Sequence, residues 1–335
     1  VTFVGYKLRG IWGAAVSMAG ILLPSFLLML LLSYVYINYG NIPSFTRFFA
    51  GVLPAVAAII ISVAFAMARK NISDKPQILI AVASAIVIAF SKAYISTLII
   101  LFLSGVAGLL MYGNNLKNQP KIDIPKSNSE NSKLGFLIPI LLAACFAIML
   151  CVPFLFPSKL GYMAELHRKI MLTFSGMSLS LLGGGYVIIP TMQQIIVGST
   201  KWLTTKEFAD AIALGQITPG PILISATFIG YKLAGFWGAL NATLAIFLPP
   251  GLLMITCTQY LEKIRNSAAI AAIFKGLRPA IIGMISAAAF TIMHNYGFSL
   301  QSGLLFCIFL LLAIRYKLDP VFLIPGAGII GLLIF

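Results

Sequence analysis

Most of the chain is apolar, but nine residues with the sequence ALGQITPGP, from Ala213 to Pro221, carry groups that could do chemistry. Six of them are glycines, prolines or polar residues: Gly215, Gln216, Thr218, Pro219, Gly220 and Pro221. Prolines and glycines interrupt helical hydrogen bonding and leave backbone N–H groups free. Such groups at a helix break favour an anion. The stretch predicts an anion site, with a proline kink between packed helices as the alternative.

A second interruption precedes it in LGGGYVIIP, which ends at Pro190. Its unusual residues are three consecutive glycines and a tyrosine: Gly183, Gly184, Gly185 and Tyr186. Non-helical backbone at membrane depth survives only where protein or a water-filled cavity satisfies its polar groups. We therefore expect the two interrupted segments to face each other.

Four charged residues near the membrane are further candidates. Lys7 and Lys232 recur in the tripeptide GYK, where an ammonium group could balance a bound dianion. Snorkelling to the membrane interface is the alternative for both lysines. Glu207 and Asp210 are the acids nearest the break. Either is a candidate proton-coupling carboxylate, and either is also ordinary in the first turn of a helix.

Composition places these residues in a membrane. The 335 residues are 60% hydrophobic and 9% charged, whereas soluble domains carry about 25% charged residues. The net charge of +15 arises from bases in short loops between apolar spans, which excludes a nucleic-acid-binding surface. No ATP-binding loop, zinc-binding H-E-x-x-H or other catalytic motif is present, so we expect no enzyme, metal or cofactor.

The elements that must position the candidate residues are apolar spans, all predicted to be helical. They are 11–33, 51–68, 77–91, 93–112, 136–156, 170–190, 207–230, 236–258, 270–293, 299–314 and 320–335. Several are shorter than the ~20 residues that a perpendicular helix needs, which predicts tilted or broken helices. The polar stretch 113–135 is predicted to be a cytoplasmic basic linker.

The chain repeats itself at an offset of 225 residues. TFVGYKLRGIWGA at residue 2 returns as TFIGYKLAGFWGA at residue 227, and GVLPA at residue 51 returns as GLRPA at residue 276. This predicts two homologous modules, 1–112 and 157–335, joined by the linker and a connecting transmembrane helix, 136–156. Basic residues change sides between the modules, which predicts inverted orientation. The first module lacks counterparts of the glycine-rich motifs, so we expect it to be truncated at its N-terminus.

In their order, LGGGYVIIP, KWLTTKEFADAIALGQITPGP, TFIGYKLAGFWGA and GLRPA resemble the chromate ion transporter family. The resemblance implies an all-α polytopic protein of the bacterial inner membrane that exports chromate, a tetrahedral dianion. The carried-over residues are Gly183–Tyr186, Pro190, Gly215, Gln216, Thr218–Pro221, Lys7 and Lys232. The partners of such a protein would be the oxyanion, the lipid bilayer and, in a homo-oligomer, a second copy of the chain. The alternatives are a carrier of sulfate or another anion and a non-transporting membrane subunit.

Overall fold

The computed structural model describes residues 2–40, 42–91, 94–117, 162–179, 185–257, 267–296 and 299–335, and their regular structure is entirely helical. The predicted linker 113–135 lies outside the described residues from 118 onward. The predicted connecting helix 136–156 lies wholly outside them, as do Gly183 and Gly184.

The helices of the first half are α1 (Thr2–Tyr39), α2 (Pro43–Asn71), α3 (Lys75–Phe90) and α4 (Tyr94–Lys117). Those of the second half are α5 (Tyr162–Leu179), α6 (Ile188–Met192), α7 (Thr205–Ile217), α8 (Ser225–Cys257), α9 (Ala268–Tyr296), α10 (Leu300–Leu311) and α11 (Pro320–Ile334). A 3₁₀ turn, Gly185–Val187, precedes α6, and a π-helical stretch, Gln193–Ser199, continues it.

Five described helical segments are long and apolar enough to cross a membrane. They are Trp12–Tyr39, Pro43–Asn71, Ile95–Gly113, Ile222–Leu253 and Ala268–His294. Three shorter apolar helices accompany them, as expected where spans are tilted or broken. The predicted polytopic helical membrane protein is therefore confirmed.

The repeated sequence adopts the same broken helix in both halves. In α1 the helix is interrupted at Arg9 (φ −141°, ψ 30°) and Gly10 (φ 59°, ψ −145°). In α8 it is interrupted 225 residues later at Ala234 (φ −146°, ψ 31°) and Gly235 (φ 60°, ψ −150°). The positive φ angle explains why both copies keep a glycine at this position, because a side chain there is strained.

One predicted span is wrong in its continuity. Span 207–230 is cut between Ile217 and Ile222, where two prolines prevent the helix from continuing. Span 170–190 includes α5 up to Leu179 and the 3₁₀ turn from Gly185, and residues 180–184 lie outside the described residues. The last residues of span 207–230 and the residues of span 236–258 up to Cys257 belong to one helix, α8, which begins at Ser225 and contains an internal break.

The two halves interlock rather than pack side by side. α2 packs against α10 and α11 of the second half, while α9 packs against α3 and α4 of the first. Glycines allow both crossings: Gly51 meets Gly331 of α11, and Gly276, its counterpart in the repeat, meets Gly108 of α4. Each half therefore completes the core of the other.

The corresponding helices α1 and α8 run antiparallel where they touch. The ring of Phe26 lies 6.4 Å from that of Phe236, near the start of the long arm of α8. Towards the end of α8, a Cβ on Gly251 would lie 3.3 Å from the sulfur of Met18, which precedes Phe26 in α1. Later residues of α8 thus contact earlier residues of α1, as in antiparallel packing.

The close crossing of α2 and α11 gives a stability test. We expect Gly331→Ala to lower the melting temperature of the detergent-purified protein, because its Cβ would lie 2.6 Å from the carbonyl oxygen of Arg47 and 2.7 Å from the backbone nitrogen of Gly51. Overpacking of this kind costs about 1–3 kcal/mol. Gly326→Ala on the same helix is the control, because nothing lies within 4 Å of its Cβ. Equal melting temperatures for both variants would contradict the crossing.

Candidate functional site

The break between α7 and α8 is organised by its own polar groups. Thr218, the residue after the last turn of α7, donates its hydroxyl to the carbonyl of Gly215 at 2.8 Å. Pro221 is extended (φ −71°, ψ 138°), and a 3₁₀ turn over Ile222–Ile224 leads into α8. Ser225 closes that turn by donating its hydroxyl to the carbonyl of Ile222 at 2.9 Å. The predicted interruption is therefore a defined loop between two helices.

The glycine-rich interruption lies against this loop. The hydroxyl of Tyr186 donates to Oε1 of Gln216 at 3.2 Å, and a Cβ on Gly185 would lie 3.1 Å from Cγ2 of Ile222. The structure thus brings together Tyr186, Gly185 and Gln216, which the sequence analysis selected separately.

Gln216 presents hydrogen-bond donors that no described residue accepts. Its side chain is only 8% exposed, and its Nε2 group has no hydrogen-bond partner among the described residues. A buried unpaired amide costs about 1–3 kcal/mol. An oxyanion, which offers only acceptors, matches this donor.

A serine of the first half, which the sequence analysis did not select, holds the loop in place. Ser25 of α1 is fully buried and donates its hydroxyl to the carbonyl of Pro219 at 2.8 Å. A Cβ on Gly220 would collide with that hydroxyl, so this glycine is needed for the close approach of α1. The counterpart of Ser25 in the repeat is Pro250. This mismatch between otherwise similar segments was the signal in the sequence that could have identified Ser25.

Asp210 is buried in the middle of the bundle rather than solvated at a helix end. It is 1% exposed, and the hydroxyl of Tyr36 donates to its Oδ2 at 2.6 Å. No described residue bonds to its Oδ1. The ring of Tyr36 is itself enclosed by Phe45, Phe49 and Phe228. α1 therefore contacts the loop through Ser25 and Asp210 through Tyr36. The sequence analysis did not select Tyr36.

Glu207 has two structural partners at the other end of α7. It forms a capping box with Thr204 and an ion pair with Lys232, and both charged side chains are partly exposed. Nine residues separate Glu207 from Gln216, which corresponds to about 13 Å along a helix. The structure thus pairs Lys232 with Glu207 instead of placing it at the loop. Lys7 lies in α1, but its side chain is outside the described part of the chain.

The chain is similar to a known protein family and to several known transport proteins. A family model described as chromate transporter matches residues 1–109 and 168–332. A chromate transport protein of Cupriavidus metallidurans is 28% identical over 338 residues, covering 99% of this chain and 78% of the relative. An uncharacterized transporter of Methanocaldococcus jannaschii is 29% identical over 318 residues, covering 94% of this chain and 76% of the relative.

A probable chromate transport protein of Synechococcus elongatus is 32% identical over 291 residues, covering 85% of this chain and 67% of the relative. No solved structure gives a significant match. The family model covers both repeats, including the interrupted segments at Tyr186 and Gln216. The protein is thus a member of the chromate transporter family and a membrane transporter.

Proposed function

We propose that this protein is a secondary transporter that exports chromate, or a similar tetrahedral oxyanion, across the bacterial inner membrane. The observation that carries the proposal is the unpaired amide of Gln216, which is buried beside a helix break in a chain of the chromate transporter family. A donor without an acceptor in such a place suits a ligand made of acceptor oxygens.

The oxyanion would bind through neutral donors. Tyr186 donates to Oε1 of Gln216, which leaves the amide N–H groups available to the ligand. The glycines allow an oxyanion to approach the backbone closely, because they carry no Cβ. We place Gly183–Tyr186, Gly215, Gln216 and Thr218–Pro221 around it. Neutral donors hold a dianion less tightly than paired cations do, which favours release on the far side.

Transport would proceed by alternating access of two inverted halves around this site. Two features support inversion: the change of side of the basic residues and the antiparallel packing of α1 on α8. The shared breaks at Gly10 and Gly235 support the repeat itself. Inverted repeats with discontinuous helices near the midplane are a recurrent transporter architecture. Ser25 and Tyr36 of α1 would transmit the movement of the first half to the loop and to Asp210.

The membrane potential would drive export. Moving a dianion out of a cell that is negative inside releases about 4.6 kcal/mol per 100 mV, at 2.3 kcal/mol for each charge. A pH gradient would add to this drive if an acid exchanged a proton during transport. We assign this proton coupling to Asp210 rather than Glu207, because Glu207 is paired with Thr204 and Lys232. Lys232 could balance substrate charge only after it leaves Glu207, and Lys7 is its counterpart in the other repeat.

Chromate uptake by everted membrane vesicles tests the proposal. We expect vesicles that contain the protein to accumulate chromate, with sulfate as a competitor, and Gln216→Ala to lower the initial rate by roughly tenfold, or about 1.4 kcal/mol. Gln301→Ala is the matched control, since Gln301 is exposed on α10. Protein content is measured in the same membranes.

The outcomes separate the parts of the proposal. Failure of the unaltered protein to take up any oxyanion, with either a potential or a pH gradient imposed, would overturn the function. Equal rates for Gln216→Ala and the control would keep the transport activity and reject the site. Stronger inhibition by sulfate than by unlabelled chromate would make sulfate the preferred substrate.

A further inference from the structure

A second glutamine of the same segment has the same arrangement as Gln216. Gln194 lies in the π-helical stretch that continues α6 and is 7% exposed. The hydroxyl of Thr97 donates to its Oε1 at 2.5 Å, as Tyr186 donates to Oε1 of Gln216. Its Nε2 group, again, has no hydrogen-bond partner among the described residues.

The local backbone is distorted where this side chain projects. Over Gln193–Ser199 the helix widens to π-helical hydrogen bonding, and the hydroxyl of Ser199 reaches back to the carbonyl of Gln194 at 3.3 Å. π-Helical turns within helices cost stability and occur frequently at functional sites. The distortion therefore coincides with the residue whose amide is left unpaired.

The two halves of the chain meet at this position. Thr97 belongs to α4 of the first half and is 1% exposed, and the π-helical stretch packs against both α4 and α7. Gln216 lies in the last turn of that same α7. Both glutamines thus project from packed neighbouring elements, and a hydroxyl group fixes the carbonyl of each.

The backbone of Gln194 lies further along the chain than the residue that contacts Gln216. Tyr186, which donates to Gln216, is eight residues before Gln194, and eight residues of helix rise about 12 Å. Two dianions at this separation repel each other. The two amides would therefore be used in succession rather than together.

We propose that Gln194, held by Thr97, forms a second binding station for the transported oxyanion, which the ion occupies before or after it is held by Gln216. The inference rests on the proposed function. At this station the ligand would accept hydrogen bonds from the Nε2 group of Gln194. A cation would find no advantage there, because an amide N–H group can only donate.

A matched pair of variants at Thr97 tests the station with little change in packing. Thr97→Val removes the hydroxyl that fixes Oε1 but keeps the shape, whereas Thr97→Ser keeps the hydroxyl. We expect chromate uptake into everted vesicles to fall roughly tenfold in maximal rate for Thr97→Val and less than about twofold for Thr97→Ser. Gln194→Met, which keeps length and removes both donors, should match Thr97→Val.

Binding to the purified full chain separates this station from the first. Equilibrium dialysis reports the tighter of the two stations, which we assign to Gln216. We therefore expect the dissociation constant of chromate to rise roughly tenfold in Gln216→Ala and to change less than about twofold in Gln194→Met, which loses the weaker station. If Gln194 had only a structural role, Gln194→Met would instead lower the melting temperature of the protein and leave its maximal rate per folded molecule unchanged.

Each result decides the question. Uptake by Gln194→Met and Thr97→Val at the rate of the unaltered protein would overturn the second station, while the Gln216 site and the transport function would stand. Equal loss in Thr97→Ser and Thr97→Val would also overturn it, since the hydroxyl would then be irrelevant. Absence of oxyanion uptake by the unaltered protein would instead reject the function on which the inference rests.

Discussion

Gly220→Ala should reduce oxyanion uptake by roughly tenfold, equivalent to about 1.4 kcal/mol. Its new Cβ would collide with the hydroxyl of Ser25 and lie 3.0 Å from the Cβ of Ser25. To make room, Ser25 would have to give up its bond to the carbonyl of Pro219, or α1 would have to move away from the loop. Either change displaces the backbone that we expect to surround the ligand. Initial rates in everted vesicles, normalised to protein content, measure the effect.

A second substitution identifies the collision as the cause. Ser25→Gly combined with Gly220→Ala removes the obstructing side chain but also the bond to Pro219, so it should restore uptake only to the rate of Ser25→Gly alone. The new glycine also costs about 1 kcal/mol of helix stability. Gly20→Ala is the control on α1, because nothing lies within 4 Å of its Cβ. Uptake by the double variant that stays below the rate of Ser25→Gly alone would show that Gly220 matters for a reason other than contact with α1.

Asp210→Asn should abolish the part of uptake that depends on the pH gradient. The side chain is buried, its single described partner is the hydroxyl of Tyr36, and an amide oxygen can also accept that bond. The substitution therefore keeps the geometry but removes a group that can bind and release a proton. In respiring everted vesicles, we expect nigericin to slow chromate accumulation by the unaltered protein and to have no effect on Asp210→Asn.

The charged groups around Asp210 define the controls for this experiment. Lys206 and Glu207 lie on its own helix, and Lys232 of α8 is paired with Glu207. Glu207→Gln should therefore keep its sensitivity to nigericin. Glu165→Gln, in the exposed first turn of α5, should behave like the unaltered protein. Nigericin sensitivity that persists in Asp210→Asn would assign proton coupling to another group. Insensitivity of the unaltered protein would leave the membrane potential as the driving force.

Local sequence determined the class of the protein and the position of its breaks. Apolar runs identify membrane helices because the bilayer excludes charged side chains. The prolines and glycines of ALGQITPGP end α7 because their effects on backbone geometry need no distant partner. The repeat likewise paired Gly10 with Gly235, and the structure shows a helix break at both with nearly identical dihedral angles.

Only the tertiary structure decided which side chains share the site. Ser25 and Pro219 are 194 residues apart in the chain, and Tyr36 and Asp210 are 174 residues apart. Local patterns do not predict such pairs, because they depend on which helices of the two halves pack together and how closely. The same packing buries Asp210 and pairs Lys232 with Glu207, whereas the sequence left each of the three open between a functional role and an ordinary charge near a helix end or the membrane interface. Long-range packing, which no short window of sequence contains, made that choice.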